Sequence, residues 1–93
     1  MRCYINPRVL QKGPDIKLAE NLRLLRERCG LTQKRVALYL FIDRSTYSYY
    51  ECGKTQPNLK ILTQLSDLYG VSIDAMIGHL PQDSKQLAYI RSA

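Results

Sequence analysis

The sequence is poor in the residues that most catalytic and metal sites need. It has one histidine, His79, and three cysteines, Cys3, Cys29 and Cys52, which stand far apart and never as a CxxC pair. A structural zinc site needs closely spaced cysteine or histidine ligands, so we predict no metal site and three free thiols in a reducing compartment. The sequence also lacks a set of histidine, carboxylate and nucleophile and a phosphate-binding glycine loop. We therefore expect no enzyme activity and no cofactor.

Long apolar segments are missing as well. The longest uninterrupted apolar run covers residues 36–42, far short of the roughly 20 residues that a helix needs to cross a bilayer. Residues 1–10 contain no continuous apolar segment of the kind found in a secretory signal. We expect a cytoplasmic protein that does not associate with a membrane.

The charge of the chain is positive and unevenly distributed. At 93 residues the chain is long enough for one domain, and its formal net charge is +6. All of its Lys and Arg residues except Lys85 and Arg91 lie within the first sixty residues, whereas residues 61–83 contain three aspartates and no basic residue. This distribution predicts a polyanionic partner that approaches one side of the molecule.

Apolar residues recur at helical spacing in five short segments, and no strand pattern is present. Asp15 is predicted to cap a first helix that ends at Gly30. The remaining helices are predicted at Gln33–Leu40, Arg44–Cys52, Leu59–Tyr69 and Ile73–Ile77, each preceded by a capping residue: Thr32, Asp43, Asn58 and Ser72. We expect an all-α domain over residues 15–78, an N-terminal arm over residues 1–14, and a C-terminal tail over residues 79–93 as a candidate dimerisation segment.

Residues 33–51 contain the residue types that a helix-turn-helix requires. Ala37 is small enough for two helices to cross closely, and apolar or aromatic residues fall on both inner faces at Val36, Leu40, Ile42, Tyr47 and Tyr50. Tyr47 and Tyr50 are therefore interpreted as core residues rather than as stacking platforms for bases. The outer face of the second helix is polar, as entry into a major groove requires.

A longer ordered pattern extends this motif. It consists of Gly30-Leu31-Thr32-Gln33, Val36-Ala37, Arg44-Ser45-Thr46-Tyr47, Tyr50-Glu51-Cys52-Gly53-Lys54 and Leu68-Tyr69-Gly70-Val71-Ser72-Ile73. With this series, about residues 16–78 resemble the phage-repressor (Cro/repressor-type, Xre-like) helix-turn-helix family of transcriptional regulators. The resemblance implies a compact five-helix, lambda-repressor-like domain whose helices 2 and 3 form the motif.

The resemblance also implies a function and a set of residues. The function is sequence-specific binding of double-stranded DNA by a transcriptional repressor, with the helix Arg44–Cys52 in the major groove. The implied base contacts are Arg44, Ser45, Thr46, Ser48 and Tyr49. The implied phosphate contacts are Gln33, Lys34, Asp43, Lys54 and Thr55. Arg26 and Glu51 match a pair that forms an internal ion pair in relatives.

Several of these residues have an alternative interpretation. Arg44 is favoured as a base contact over a solvated residue, because Arg to guanine is the commonest specific contact. Asp43 is better explained as a helix cap than as a base contact, while Ser45 and Ser48 fit a plain polar surface equally well. Tyr49 lies on the polar face and could contact a thymine methyl group or a phosphate. Lys54 is kept as a phosphate contact, with a solvated loop lysine as the alternative.

One residue departs from the family pattern. Glycine usually occupies the turn of the motif, where the backbone takes a positive φ, and this chain has Phe41 there. A bulky residue at positive φ costs roughly 1 kcal/mol or more. We therefore expect either a strained turn or a rearranged one.

The expected partner is a pseudo-palindromic operator bound by a homodimer, since one recognition helix contacts only a few base pairs. Two segments offer apolar area for the dimer. One is the fifth helix with the C-terminal tail (Met76, Ile77, Leu80, Leu87, Tyr89 and Ile90), and the other is the N-terminal arm (Tyr4, Ile5, Val9 and Leu10). The arm could instead follow a DNA groove through Arg8 and Lys12. The alternative function is an antitoxin-like regulator that binds a protein partner through its tails and keeps the same DNA-binding core.

Overall fold

A computed structural model describes residues 7–13 and 15–79 of the chain. This part contains a short 3-10 helix, Pro7–Val9, and five α-helices: α1 (Leu18–Arg28), α2 (Gln33–Leu40), α3 (Arg44–Cys52), α4 (Leu59–Tyr69) and α5 (Ile73–Ile77). Its only β-type pairing is a single bridge between Gly13 and His79. The predicted all-α, five-helix fold is confirmed, and α2 to α5 have the predicted bounds.

Side-chain caps explain why most of these helices begin where the sequence predicts. Thr32 accepts a hydrogen bond from the Arg35 N–H at 3.1 Å, Asn58 from Ile61 at 2.9 Å, and Ser72 from Ala75 at 3.0 Å. Each cap satisfies a backbone donor that the first turn leaves without a partner. Asp43 stands at the N-cap position of α3, but its side chain makes no capping hydrogen bond.

The start of α1 differs from the prediction. Its N-cap residue is Lys17, not Asp15. The Lys17 N–H donates to the Ile77 carbonyl at 2.7 Å, and the Gly13 N–H donates to the Gly78 carbonyl at 3.0 Å. The chain before α1 therefore runs beside the end of α5 and the residue that follows it. Because of this long-range pairing, α1 begins further along the chain than the sequence predicts.

Asn21 fastens this pairing to the core. It is completely buried, accepts a hydrogen bond from the Gln11 N–H at 2.6 Å, and donates to the carbonyls of Gln11 at 3.1 Å and Met76 at 2.8 Å. Gly78, at φ +66°, lies so close to the Gln11 carbonyl that a Cβ atom would overlap it. One buried amide thus joins the segment before α1 to α1 itself and to the end of α5.

The hydrophobic core lies between all five helices and includes residues from both ends of the described chain. Leu10 is 5% exposed and Met76 is 0% exposed, and both belong to the core cluster. These two side chains are therefore not available for the predicted dimer surface. The other apolar residues named for that surface lie outside the described residues, except Val9 and Ile77, which are half-buried.

The cysteines differ in part from the prediction. The prediction of three free thiols is wrong at Cys29, which is disulfide-bonded, because spacing along the chain does not limit which thiols meet in space. Cys52 is an exposed free thiol, and Cys3 lies outside the described residues.

None of the helices described above is both long enough and apolar enough to span a bilayer.

Candidate nucleic-acid interface

The turn between α2 and α3 sets the angle at which α3 leaves the domain. Phe41 takes the left-handed conformation, with φ 57° and ψ 43°. Its N–H donates to the Leu38 carbonyl at 3.2 Å, and the Ile42 N–H donates to the Ala37 carbonyl at 3.1 Å. From the sequence we expected either a strained turn or a rearranged one at Phe41, and the structure has the strained turn. The Phe41 side chain is 92% exposed, so it gains no packing in return for the strain.

The helix α3 is anchored by one face and leaves the other open. Tyr47 is fully buried and Tyr50 is half-buried, with their rings in an edge-to-face contact 6.3 Å apart. The residues predicted to contact bases lie elsewhere on the helix surface. Of these, Arg44, Ser45 and Tyr49 are exposed, and Thr46 and Ser48 are half-buried.

The residues predicted to contact phosphate lie at helix ends and in the loop after α3. Lys34, in the first turn of α2, and Asp43, before α3, are exposed, as are Lys54 and Thr55 in the loop. The Lys54 ammonium lies 5.1 Å from the centroid of the Tyr49 ring, within the range of a cation–π contact. Gln33 is half-buried at the start of α2.

Arg26 and Glu51, the predicted ion pair, form a two-point salt bridge between α1 and α3. Arg26 Nε donates to Glu51 Oε2 at 2.7 Å and Nη2 donates to Oε1 at 3.1 Å. The side chains are 15% and 4% exposed. Arg26 also donates from Nη1 to the Leu31 carbonyl at 2.9 Å, and Gln33 donates from its amide to Glu51 Oε1 at 3.2 Å. Glu51 therefore connects α1, α2 and α3.

The electrostatics of this network keep Glu51 ionised. Burial by itself would raise the pKa of Glu51, but hydrogen bonds from Arg26, Tyr47 and Gln33 outweigh burial and hold that pKa below its ordinary value. The hydrogen bond to Glu51 in turn raises the pKa of Arg26. The network thus stays charged, and its two charges compensate each other.

A pair of buried tyrosine hydroxyls extends the network to α4, and sequence reasoning missed it. The hydroxyls of Tyr47 and Tyr69 lie 3.2 Å apart, and both side chains are fully buried. Burial raises the pKa of Tyr69 to about 12 and also raises the pKa of Tyr47, so both remain neutral donors. The signal in the sequence was that Tyr47, interpreted as a core residue, must find a hydrogen-bond partner for its hydroxyl.

Comparison with known proteins gives this geometry a family. A helix-turn-helix family model matches residues 22–76, which include α2, the turn and α3. The chain belongs to the helix-turn-helix family. The resemblance noted in the sequence is thereby confirmed.

Individual relatives of the family agree with this assignment. The chain is similar to the SPbeta prophage-derived uncharacterized HTH-type transcriptional regulator YonR of Bacillus subtilis, with 45% identity over 62% of this chain and 54% of that protein. It is also similar to the uncharacterized HTH-type transcriptional regulator YqaE of Bacillus subtilis, with 37% identity over 63% of this chain and 51% of that protein. The chain thus spans about half the length of these relatives.

Among solved structures, a transcriptional regulator from Listeria innocua has a similar fold. The match has a TM-score of 0.69 and 28% identity, and it covers 84% of this chain and 76% of that one.

In this helix-turn-helix protein the network centred on Glu51 holds the recognition helix in place through hydrogen bonds to the neighbouring helices. It fixes α3 against α1, α2 and α4 and leaves the polar face of α3 in solvent.

Proposed function

We propose that this protein is a transcriptional repressor that binds an operator in double-stranded DNA through α3. The proposal rests on one observation about α3. One face of this helix packs into the core, and its exposed polar face presents Arg44, Ser45 and Tyr49. A recognition helix needs both properties. It must be rigid to discriminate between sequences, and its free face must offer hydrogen-bond donors to base edges.

Arg44, Ser45, Thr46, Ser48 and Tyr49 are the proposed residues of the base-facing surface. Arg44 is assigned the main specific contact, because its guanidinium can donate two hydrogen bonds to guanine. Arg44 takes part in neither of the salt bridges found among the described residues. Its charge is therefore available to DNA.

The proposed phosphate contacts flank this surface. Lys34 and Lys54 supply positive charge and Thr55 supplies a hydroxyl, while Gln33 stands at the N-terminal end of α2, where the backbone N–H groups and the helix dipole attract an anion. Asp43 carries a negative side chain, so its contact to phosphate is assigned to its backbone N–H. The protein acts in this proposal by binding rather than by catalysis, in the cytoplasm where bacterial operators lie.

Binding as a homodimer follows from the size of the surface. One α3 helix contacts only a few base pairs, and a two-fold pair of helices about 34 Å apart contacts two half-sites of a pseudo-palindromic operator. The test is selection from a random duplex pool by the purified protein at near-physiological salt. Enrichment of a two-fold-symmetric motif is the expected result. Salt-sensitive binding without any enriched motif would contradict sequence-specific recognition.

A second candidate function is an antitoxin-like regulator that binds a protein partner as well as DNA. Exposed apolar side chains on α2 and in the turn favour it, since Leu38 is 59% exposed and Phe41 is 92% exposed. In that case Phe41→Ser should leave DNA affinity unchanged and weaken co-purification of a partner from the native host. If the wild-type protein and Phe41→Ser recover the same amount of partner, the exposed apolar side chains of α2 and the turn do not bind it.

A further inference from the structure

The end of α3 has a geometry that determines where Lys54 lies. The helix ends at Gly53, which takes a left-handed conformation with φ 78°. The Gly53 N–H donates to the Tyr50 carbonyl at 3.4 Å, and the Lys54 N–H donates to the Tyr49 carbonyl at 3.0 Å. This pair of hydrogen bonds is the Schellman motif, and it folds the residue after glycine back towards the residue five positions earlier. The backbone therefore places Lys54 beside Tyr49.

The side chains use that proximity in an unusual way. Two apolar residues commonly meet at these positions of a Schellman motif. Here the Lys54 ammonium instead lies over the Tyr49 ring, 5.1 Å from its centroid. Tyr49 is 44% exposed and Lys54 is exposed. The described residues form two salt bridges, Arg23–Glu27 and Arg26–Glu51, and Lys54 is in neither of them.

A lysine on a free loop samples many rotamers, and ordering it on a phosphate costs entropy. The Tyr49 ring removes part of that cost, since the attraction between cation and ring holds the ammonium at the end of α3 before any ligand arrives. Because Lys54 stays exposed to solvent, its ammonium can still bind an anion.

We propose that Tyr49 is a positioning residue for Lys54 and that the two side chains form one phosphate-binding element, the Tyr49–Lys54 element, at the C-terminal end of the recognition helix. The inference rests on the proposed function and refines it. Tyr49 then contributes to affinity for any duplex rather than to preference for a particular base. It thus takes a different role from the base contact that its place on the polar face suggested.

The first arm of the test needs no DNA. The ring current of Tyr49 should shift the Lys54 Hε proton resonances upfield in the free protein. Tyr49→Phe should retain that shift because it keeps the ring. Tyr49→Leu should abolish it while preserving an apolar contact in the Schellman motif, so that folding, followed by thermal melting, is unchanged. Unshifted resonances in the wild-type protein would overturn the inference.

The second arm is a double-mutant cycle on duplex binding. Lys54→Gln should weaken binding to any sequence and reduce the slope of log affinity against log salt by about one. Tyr49→Leu should weaken binding about two- to fivefold while Lys54 is present and should have no effect in the Lys54→Gln background. Tyr49→Phe, the conservative variant that keeps the ring, should recover the affinity that Tyr49→Leu loses.

The outcomes separate this inference from the proposed function. If wild-type protein binds duplex DNA with an enriched motif but the two substitutions act additively, only the Tyr49–Lys54 element is overturned. The same holds if Tyr49→Leu changes preference at one base pair, because Tyr49 would then contact a base directly. If wild-type protein binds no duplex DNA, the proposed function fails together with the element.

Discussion

Replacing Arg26 with methionine removes the cation that neutralises Glu51 and keeps most of the hydrophobic stem. The Glu51 side chain is 4% exposed, so the substitution leaves a carboxylate in a site that water barely reaches. Removing one partner of a buried ion pair costs about 3 to 5 kcal/mol. Gln33 and Tyr47 still donate to Glu51, so we expect Arg26→Met to lower the free energy of unfolding at pH 7 by about 3 kcal/mol, the lower end of that range.

The pH dependence gives this prediction a distinctive sign. In wild type, the folded-state pKa of Glu51 lies below its unfolded value. Its contribution to stability is therefore present above the unfolded pKa of about 4.3 and is lost as the pH falls through the folded pKa. Without Arg26, burial should raise the pKa of Glu51 above the unfolded value. The variant then loses stability as the pH rises through that raised pKa, and its deficit relative to wild type should be largest at pH 7 and shrink towards pH 4.

The assay is urea unfolding followed by circular dichroism at a series of pH values. The chain offers a matched control in Arg23→Met, because Arg23 pairs with Glu27 at 2.9 Å but both side chains are at least half exposed, at 68% and 50%. This control should unfold like wild type, since exposed pairs contribute little. An equal and pH-independent change in the two variants would refute the argument that Glu51 is a buried, compensated charge.

Three further predictions concern the turn, the tyrosine pair and Asn21. Phe41→Gly should stabilise the fold by about 1 kcal/mol in urea unfolding, since glycine adopts positive φ without strain, whereas Phe41→Ala should give no such gain. Tyr69→Phe should cost about 1 kcal/mol, because the buried Tyr47 hydroxyl loses a partner; an unchanged melting temperature would show that this hydrogen bond adds nothing. Asn21→Leu should lower the free energy of unfolding by about 2 kcal/mol and accelerate amide exchange at Gln11. Protection of the Gln11 amide equal to wild type would contradict the role of Asn21 in holding the segment before α1.

The parts of the fold that follow from local chemistry could be predicted from the sequence. Thr32, Asn58 and Ser72 cap α2, α4 and α5 with their own side chains, and glycines end α3, α4 and α5 in the left-handed conformation, so most of the bounds of α2 to α5 follow from nearby residues. The start of α1 could not be found this way. It depends on the hydrogen bond from Lys17 to Ile77, which joins residues far apart in sequence.

The same distinction applies to the candidate site. Periodicity places Tyr47 inside and Tyr49 outside, because both assignments depend only on the helical repeat of α3. Spacing alone does not reveal that Tyr47 meets Tyr69, or that Asn21 bonds both to the backbone of Gln11 before α1 and to the Met76 carbonyl in α5. The domain boundaries and the base and phosphate contacts stay predictions.

The central claim, that α3 contacts base edges, is tested most directly by comparing wild type with Arg44→Ala on a set of operator duplexes that each differ at one base pair. We predict that Arg44→Ala lowers affinity for the selected operator by about 1 to 3 kcal/mol and loses discrimination at one base pair of each half-site, with every other preference unchanged. A loss of affinity that is equal on all the duplexes would contradict the claim, because Arg44 would then contact only the DNA backbone.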